Sequence, residues 1–445
     1  MTTPSYYLRS FGCQMNDHDA ERIQAMLEGM GYTAVATPGE ADILIYNTCT
    51  VRRSADERLA GHLSAAARLK RTDPRRVVAL TGCLPQAEQH EVFTRFPFVD
   101  VAVGPQSLYR LREALQEAIT ARQLQLEPRP RGHFEEGPHL TSELPSRRAR
   151  PFQAWVQVMS GCTNFCSYCV VPYVRGPERS RRPAQVEAEV RRLAADGVRE
   201  VTLLGQNVNA YGLDLEAGPA AADITFAGLL RRLDAVPGIA RIRFMTSHPK
   251  DLSEALIAAV AELPTVCEHV HLPAQSGSDT VLAAMRRGYT AEHYLARLDA
   301  LRAAVSDVAV TTDLIVGFPG ERDEDFLATL ALVERARFDA AFTFVYSPRA
   351  GTAAAALPDQ VPDEVKRARV QRLIALTQRV GLERRSRFVG RRLEVLLEGV
   401  SRHGDGMRGR ARHNVTVNVS GAAKPGTLVE VLVTEATSTT LRGSV

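Results

Sequence analysis

The sequence predicts an α/β protein of three parts: an N-terminal doubly wound α/β domain over residues 4–120, a central partial (β/α)6 barrel over 148–378, and a small C-terminal antiparallel β-barrel over 380–445. Three observations predict it. The chain has 445 residues, more than one hydrophobic core usually organises, with an ordinary 45% apolar and 24% charged residues. Apolar, β-rich runs alternate with helical patterns through the first two parts, as parallel sheets require. In the last part the runs become short and alternating, with Gly and polar turns between them. This composition excludes a largely disordered chain. No apolar run approaches a membrane span, and Met1–Ser5 carries no charged-then-apolar leader, so a cytoplasmic protein with no membrane partner is expected.

In the N-terminal third, Tyr6–Phe11, Asp42–Asn47 and Arg76–Leu80 read as strands, with helical patterns at Glu21–Gly29 and Ser54–Arg71. Cys13, Cys49 and Cys83 each fall just past a strand end, and their separations of 36 and 34 residues match one βα unit apiece. Successive strands of a parallel sheet end on one edge, so the three thiols should meet there. A lone Cys beside a strand is usually a small core residue. The same placement three times points instead to a three-thiolate metal site.

The central part contains six strand patterns: Ala154–Ser160, Glu200–Gly205, Ala240–Met245, Glu268–Leu272, Ala309–Gly317 and Ala341–Tyr346. Helical patterns at Ala184–Ala195, Phe226–Ala235, Leu252–Leu263 and Ala291–Ala304 lie between them. Six units are too few for an ordinary eight-stranded barrel, so an open barrel is expected, with function at the carboxyl ends of its strands. Directly after the first strand comes Cys162-x3-Cys166-x2-Cys169. Packing does not require that spacing. Zinc would need a fourth ligand that the neighbouring sequence lacks, whereas an iron–sulfur cluster accepts three thiolates and leaves one iron open to a small molecule. The seven cysteines are an odd number, which argues against a disulfide framework, and Cys267 reads as a core thiol.

Other residues are ambiguous by sequence. Gly205, Gln206 and Asn207 sit at a strand end, either facing the cavity or capping a βα loop. Gly317–Glu321 either lines the site or merely turns the chain. Arg175, Arg179, Arg181 and Arg182 form a cationic run beside the cysteine loop, and such a run is either a solvated face or a phosphate contact. His248 and His271 read as hydrogen-bonding rather than metal-ligating residues.

After a helical linker around Pro362–Arg387, Arg392–Leu397, Asn414–Val419 and Thr427–Val433 read as strands of the small barrel. Residues 381–445 hold 11 basic and 6 acidic side chains, so the whole positive excess of the chain (+4) lies in its tail. A polyanion partner is one reading of that excess; a solvated surface is the other.

The three-cysteine loop after the first strand of a six-unit barrel resembles the radical S-adenosylmethionine (SAM) superfamily. That resemblance implies a [4Fe-4S] cluster held by Cys162, Cys166 and Cys169, SAM on its open iron, and Tyr168 helping to seat the adenine. If Gly205, Gln206 and Asn207 face the cavity, their strand-end position makes them the expected contacts of SAM's methionine portion. With Cys13, Cys49, Cys83 and the terminal barrel, nearly the whole chain resembles the methylthiotransferases, in which an N-terminal domain holds an auxiliary [4Fe-4S] cluster and a TRAM domain binds RNA. Leu203–Tyr211, Arg243–Pro249, Cys169–Gly176, His271–Ser278 and Tyr346–Arg349 resemble the group acting on isopentenylated adenosine in tRNA. Two departures, Thr50–Ser54 after Cys49 and Leu84-Pro85-Gln86 after Cys83, leave the cysteines untouched.

The resemblance implies transfer of a methylthio group to carbon 2 of N6-isopentenyladenosine beside the anticodon, with two SAM molecules consumed. One methylates a sulfur at the auxiliary cluster and the other supplies a radical. The implied partners are a tRNA anticodon stem-loop and a one-electron reductant such as flavodoxin or ferredoxin, and a monomer is expected; from their place beside the cysteine loop, Arg175, Arg179, Arg181 and Arg182 are the expected RNA contacts. The alternatives are methylthiolation of threonylcarbamoyladenosine or of a ribosomal protein aspartate, and an RNA-binding iron–sulfur or zinc protein without radical chemistry.

Overall fold

The computed structural model describes residues 3–50, 53–126, 130–135, 144–216, 224–401, 406–421 and 423–445. Val51 and Arg52, within the first departure noted above, lie outside the described residues. Two compact units are present: residues 1–149 with 159–163 and 169–179, and residues 150–158 with 164–168 and 180–445. No helix among the described residues is long and apolar enough to cross a membrane.

The first unit begins β1 (Ser5–Ser10), α1 (Gln14–Gly29), β2 (Thr33–Ala34), β3 (Ile43–Thr48), α2 (Arg53–Thr72) and β4 (Val77–Gly82). It continues α3 (Cys83–Glu88), α4 (Glu91–Arg95), β5 (Val101–Val103), α5 (Leu111–Gln123) and β6 (Arg131–His133). The strands form one parallel sheet in the order β2-β1-β3-β4-β5-β6. Alternate residues feed opposite faces: Ile43, Ile45, Val77 and Ala79 pack with Ile23 and Leu27 of α1 and Leu111 and Leu115 of α5. Leu44, Tyr46, Val78 and Leu80 pack with Leu59 and Leu63 of α2. Both faces are therefore covered, which makes the doubly wound expectation correct and explains why these strands read as unbroken apolar runs. The sheet's sixth strand lies beyond residue 120, and α1 starts a full two turns before the predicted Glu21. Its first turns bury Asn16, His18 and Asp19, so polar residues there hid the helix from an apolar-period reading.

The second unit opens with β7 (Gln153–Gln157). The short strand β8 (Met159–Ser160) and helix α6 (Val171–Arg175), either side of the cysteine loop, belong to the first unit, and strand β9 (Arg179–Ser180) spans the boundary. Then come α7 (Pro183–Ala195), β10 (Glu200–Leu204), α8 (Phe226–Asp234), β11 (Arg241–Phe244), α9 (Glu254–Glu262) and β12 (His269–His271). They are followed by α10 (Asp279–Ala284), α11 (Ala291–Ala304), β13 (Ala309–Val316), α12 (Asp323–Ala336), β14 (Ala340–Val345) and α13 (Asp363–Ser386). All ladders are parallel, β7-β10-β11 and β12-β13-β14, and an Ile242–Val266 bridge links the two halves. The six predicted strands are all present within a residue or two, apart from the first, whose predicted end is split off as β8. The barrel is partial, as its unit count required.

The tail is a closed barrel of five strands, β15 (Arg392–Val400), β16 (Met407–Ala411), β17 (Thr416–Ser420), β18 (Leu428–Ala436) and β19 (Thr440–Ser444), ordered β15-β16-β17-β19-β18. The sequence suggested three strands, all antiparallel; the β17–β19 pair is parallel. Its small core gathers Val395, Leu397, Val417, Val431 and Leu441 over Phe388.

Candidate metal centres

In the first unit the strand order reverses at β1 and β3. An open parallel sheet has its crevice at such a switch point, outside the carboxyl ends of the strands. Cys13 lies just past β1, Cys49 just past β3, and Cys83 opens α3 directly after β4. Gly12 has a φ of +128°, and a Cβ there would collide with the Cys49 side chain, so only glycine lets the two loops close up. Gly82, at φ +91°, is pressed against the Thr48 carbonyl in the same way. Asn16 fastens the edge, its Nδ2 donating to the carbonyls of Phe11 (3.0 Å) and Thr48 (2.7 Å). The Cys13 Sγ lies 3.5 Å from Asn16 Oδ1.

A cation enters this thiol site. Arg175, the last residue of α6, is 6% exposed. Its guanidinium acts electrostatically on Cys83 and Cys13 and donates to Asp19 at 3.4 Å. Cys13 is pulled down to about 5, first by its hydrogen bond with the Cys49 thiol; burial opposes this and the Arg175 charge assists it. Burial pushes the Cys83 thiol up, against the pull of Arg175. For Arg175 itself burial disfavours the charge, yet Cys83, Asp19 and Cys13 outweigh it and its pKa rises.

No disulfide joins any of the seven cysteines. Among the described residues, no three His, Cys, Asp or Glu side chains are drawn around a point as they would be for a single ion. A cubane spreads its thiolates over separate irons and needs a wider triangle than one ion does. An all-sulfur donor set, buried and beside a guanidinium, fits an iron–sulfur cluster.

Of the cysteine loop, the described contacts belong to one unit or the other. In the first, Gly161 at φ +81° passes so close to Pro177 that a Cβ would fall on its carbonyl, and the Cys162 amide donates to the Gly176 carbonyl at 3.1 Å. In the second, Phe165 holds the left-handed conformation at φ +46°, uncommon for a bulky residue, and its ring is 48% exposed. Cys166 is buried and accepts from Arg287 Nη1 at 3.3 Å. Arg287 also donates to Tyr289 Oη (3.0 Å) and the Pro273 carbonyl (3.2 Å). Burial disfavours its charge, but Tyr168, Tyr289 and Cys166 outweigh this and raise its pKa. Tyr168 packs against the buried cluster of Met285, Phe318 and Tyr346.

The barrel's carboxyl edge is lined with polar atoms awaiting partners. Asn207 donates from Nδ2 to Asp251 at 2.8 Å, while its buried Oδ1 has no partner among the described residues. Ser247 Oγ, His248 Nε2, Gln275 Oε1 and Tyr346 Oη are in the same condition, each just beyond a strand end. Buried polar atoms are almost always satisfied, so such a group marks the place of a polar ligand, and SAM fits. Gly205 gives its carbonyl to the Thr246 hydroxyl at 2.5 Å, and Gln206 beside it is half-buried. Gly317–Glu321 is a tight turn: the Gly317 amide donates to Glu321 Oε1 (2.9 Å), which Arg369 Nη1 holds at 2.7 Å.

The arginine run divides. Arg175 is committed to the thiol site. Arg181 is 6% exposed and donates to the Gln157 carbonyl (2.7 Å) and Glu189 (2.5 Å). Enclosed side chains bound to carboxylates do not present themselves to phosphate, so the surroundings of these two do not support the RNA role expected of them. Arg179 is half-exposed and Arg182 is exposed. The tail's arginines are also largely engaged: Arg384 and Arg387 with Asp339, Arg391 with Asp307, Arg410 with Glu398 and Arg412 with Glu268. Sequence analysis singled out neither Arg287, Asn16, Asp19 nor the strand-end Ser247, Gln275 and Tyr346. Ser247, Gln275 and Tyr346 lie within segments quoted for the family resemblance, Asn16 and Asp19 follow Cys13 closely, and Arg287, after α10, carried no signal in the sequence.

Family models match in three places: the Radical SAM superfamily over 156–333, Uncharacterized protein family UPF0004 over 5–104, and the TRAM domain over 386–445. A solved radical S-adenosylmethionine methyltransferase, TsrM from Kitasatospora setae, with cobalamin and a [4Fe-4S] cluster bound, superposes with a TM-score of 0.55 at 15% identity. That match covers 80% of this chain and 74% of TsrM, and it is a likeness of fold. The tRNA-2-methylthio-N(6)-dimethylallyladenosine synthase of Caldicellulosiruptor saccharolyticus is 46% identical over 93% of this chain and 86% of its own length. That of Thermoanaerobacter pseudethanolicus is 45% identical over 98% of this chain and 92% of its own. With three domain matches in order and kinship along its full length, the chain belongs to the family of tRNA-2-methylthio-N(6)-dimethylallyladenosine synthases.

Proposed function

We propose that the chain transfers a methylthio group to carbon 2 of N6-isopentenyladenosine, beside the anticodon of tRNA, with SAM and two [4Fe-4S] clusters as cofactors. The observation that carries this reading is the full-length kinship with synthases named for that product. Carbon 2 of adenine carries no acidic proton, so proton-transfer or nucleophilic routes cannot functionalise it and a radical can. The bound clusters and SAM supply a one-electron reduction, a carbon radical and the sulfur to be delivered.

The chain's own residues divide the remaining work. Cys162, Cys166 and Cys169 hold one cluster, and Arg287 supports Cys166 from the barrel side. Cys13, Cys49 and Cys83 hold the other at the switch point of the N-terminal sheet. Tyr168, Gly205, Gln206 and Asn207 bind SAM, with the unpartnered Asn207 Oδ1 ready to accept from its amino group. The segments 4–120, 148–378 and 380–445 act as sulfur-donating, radical-generating and RNA-gripping domains. Arg179 and Arg182 contact the tRNA backbone. The enzyme works in the cytoplasm as a monomer and takes its electron from a flavodoxin or ferredoxin.

Two variants test the division. Cys166→Ala should abolish reductive SAM cleavage, read as 5′-deoxyadenosine, while one cluster remains visible by EPR. Cys49→Ala should spare that cleavage and stop sulfur insertion. Full methylthio product from Cys49→Ala would refute the N-terminal assignment. Unchanged 2-methylthio-isopentenyladenosine in tRNA of a deletion strain would refute the reaction itself.

A further inference from the structure

The interior of the six-unit barrel presents an acceptor beside an aromatic face. Along β13, Val310, Thr312, Leu314 and Val316 are each 0% exposed, while Thr311, Asp313 and Ile315 between them are half-buried. Side chains alternate across a strand, and in a parallel βα barrel the sealed face is the one under the helices, so the half-buried set lines the interior. The contacts agree. Thr311 Oγ1 lies 2.9 Å from His271 Nδ1, His271 Nε2 lies 3.5 Å from Asp313 Oδ2, and the His271 and Phe342 rings meet edge to face at 6.1 Å. Asp313 and Phe342 are register partners on neighbouring strands. β14 has β13 on one side and no strand on the other among the described residues, so the barrel stays open along it, and Phe342 is 51% exposed. Two residues further up β13, a rise of about 6.6 Å, Ile315 packs on the same buried cluster as Tyr168 of the cysteine loop. The Asp313–Phe342 pair therefore lies one strand repeat deeper in the barrel than the residues given to SAM.

The Asp313 side chain is 27% exposed, and Oδ1 has no hydrogen-bond partner among the described residues. A carboxylate accepts and does not donate. The base of isopentenyladenosine carries acceptors at N1, N3 and N7 and a single N–H, at N6, so N6–H is the one group on its edge that such a carboxylate can take. We propose that Asp313 and Phe342 are specificity-determining residues for the nucleobase: the Asp313 carboxylate accepts the N6–H while the base stacks on the Phe342 ring. This rests on the reading that isopentenyladenosine is the substrate. A base with oxygen in place of that N–H would set two acceptors face to face, and a site built around a donor rejects an analogue that lacks it. Stacking adds affinity without regard to the edge groups.

The test uses the full chain, reconstituted without oxygen, and two synthetic anticodon stem-loops. One carries N6-isopentenyladenosine; the other carries the same purine with the prenyl group linked through oxygen instead of N–H. Dissociation constants are read by fluorescence anisotropy with SAM present and no reductant, so that no radical forms. The parent should bind the oxygen-linked RNA at least ~10-fold more weakly, the effect of losing one hydrogen bond to a charged group. Asp313→Ala should bind the nitrogen-linked RNA more weakly by the same factor and no longer distinguish the two. Phe342→Ala should weaken both RNAs alike, by roughly tenfold, and keep the discrimination. Equal affinity of the parent for both RNAs overturns the proposal without any variant, and so does an Asp313→Ala protein that still discriminates. Unchanged affinity in Phe342→Ala overturns the stacking. If the parent, given SAM and a reductant, adds no methylthio group to the isopentenyladenosine RNA, it is the reading of the reaction that fails, and this proposal with it.

Discussion

Arg241 offers the sharpest test of how the terminal barrel is held. It begins β11 and is 0% exposed, an extreme position for a guanidinium. Nε and Nη2 meet the Glu394 carboxylate at 3.0 and 2.8 Å. The Arg410 carbonyl accepts from Nη1 at 2.7 Å, and the Glu394 carbonyl from Nη2 at 2.8 Å. Glu394 and Arg410 belong to β15 and β16 of the TRAM domain, so this one side chain stitches that domain to the six-unit barrel. Arg241→Met keeps the stem and removes every donor. Two carbonyls lose charged hydrogen bonds, each worth about 1.5–3 kcal/mol. The Glu394 side chain is 36% exposed and rehydrates in part, which lowers its share of the loss. The expected destabilisation of docking is about 3–5 kcal/mol, the usual result of breaking a buried pair from one side. A chain of several domains does not unfold in two states, so hydrogen exchange is the better assay than a melting curve. At about 1.4 kcal/mol per decade, amides of Gly409–Ala411 should exchange more than a hundredfold faster in the variant. Exchange within threefold of the parent would refute the reasoning, because the buried donors would then contribute nothing to docking.

Four further outcomes follow from the same geometry. Gly12→Ala should strip the N-terminal site of iron and lower stability by about 1–3 kcal/mol, since the φ of +128° and the Cys49 side chain both exclude a Cβ; iron analysis and urea unfolding check it. Glu200 is buried, which disfavours its charge, but Arg243 and Arg241 outweigh burial and hold its pKa below the ordinary value. Its stabilising share is therefore full above the unfolded carboxyl value of about 4.3 and is lost as pH falls through the lower folded value, so Glu200→Gln should flatten the acid limb of a stability–pH curve. Deleting residues 386–445 should do more than weaken tRNA binding: it uncovers Arg241 and Arg243, so the truncated chain should aggregate or lose barrel stability, measurable by light scattering. Arg179→Glu with Arg182→Glu should instead leave folding intact and weaken tRNA binding with a shallower salt dependence; an unchanged salt slope would remove both from the RNA surface.

Much of this was legible in the sequence because it depends on short-range pattern. The cysteine loop is a local spacing, and the regular placement of Cys13, Cys49 and Cys83 after strands is βα periodicity carried onto one sheet edge. The position of the partial barrel's strands followed from apolar runs of ordinary length. The start of α1 was missed because Asn16, His18 and Asp19 break its apolar period, and they do so because they are buried in a polar site rather than in a core. Two strands of the terminal barrel were missed for a related reason: Met407–Ala411 and Thr440–Ser444 hold too few apolar residues to stand out, and their pairing supplies what their composition lacks.

The arginines mark where reading along the chain stops. By sequence, Arg175 and Arg181 belong to one cationic run, and the tail's excess charge looks free for a polyanion. Which carboxylate, thiol or carbonyl lies opposite each guanidinium is a long-range fact: Arg175 meets Asp19 across 156 positions and Arg241 meets Glu394 across 153. The cysteines, their order and the fold that gathers them were determined by the chain's own periodicity, since strand ends must fall on one edge. The partners of the buried charges were decided only by tertiary structure, because a charge inside a protein is stabilised by whatever the fold brings against it, and local sequence carries no record of that.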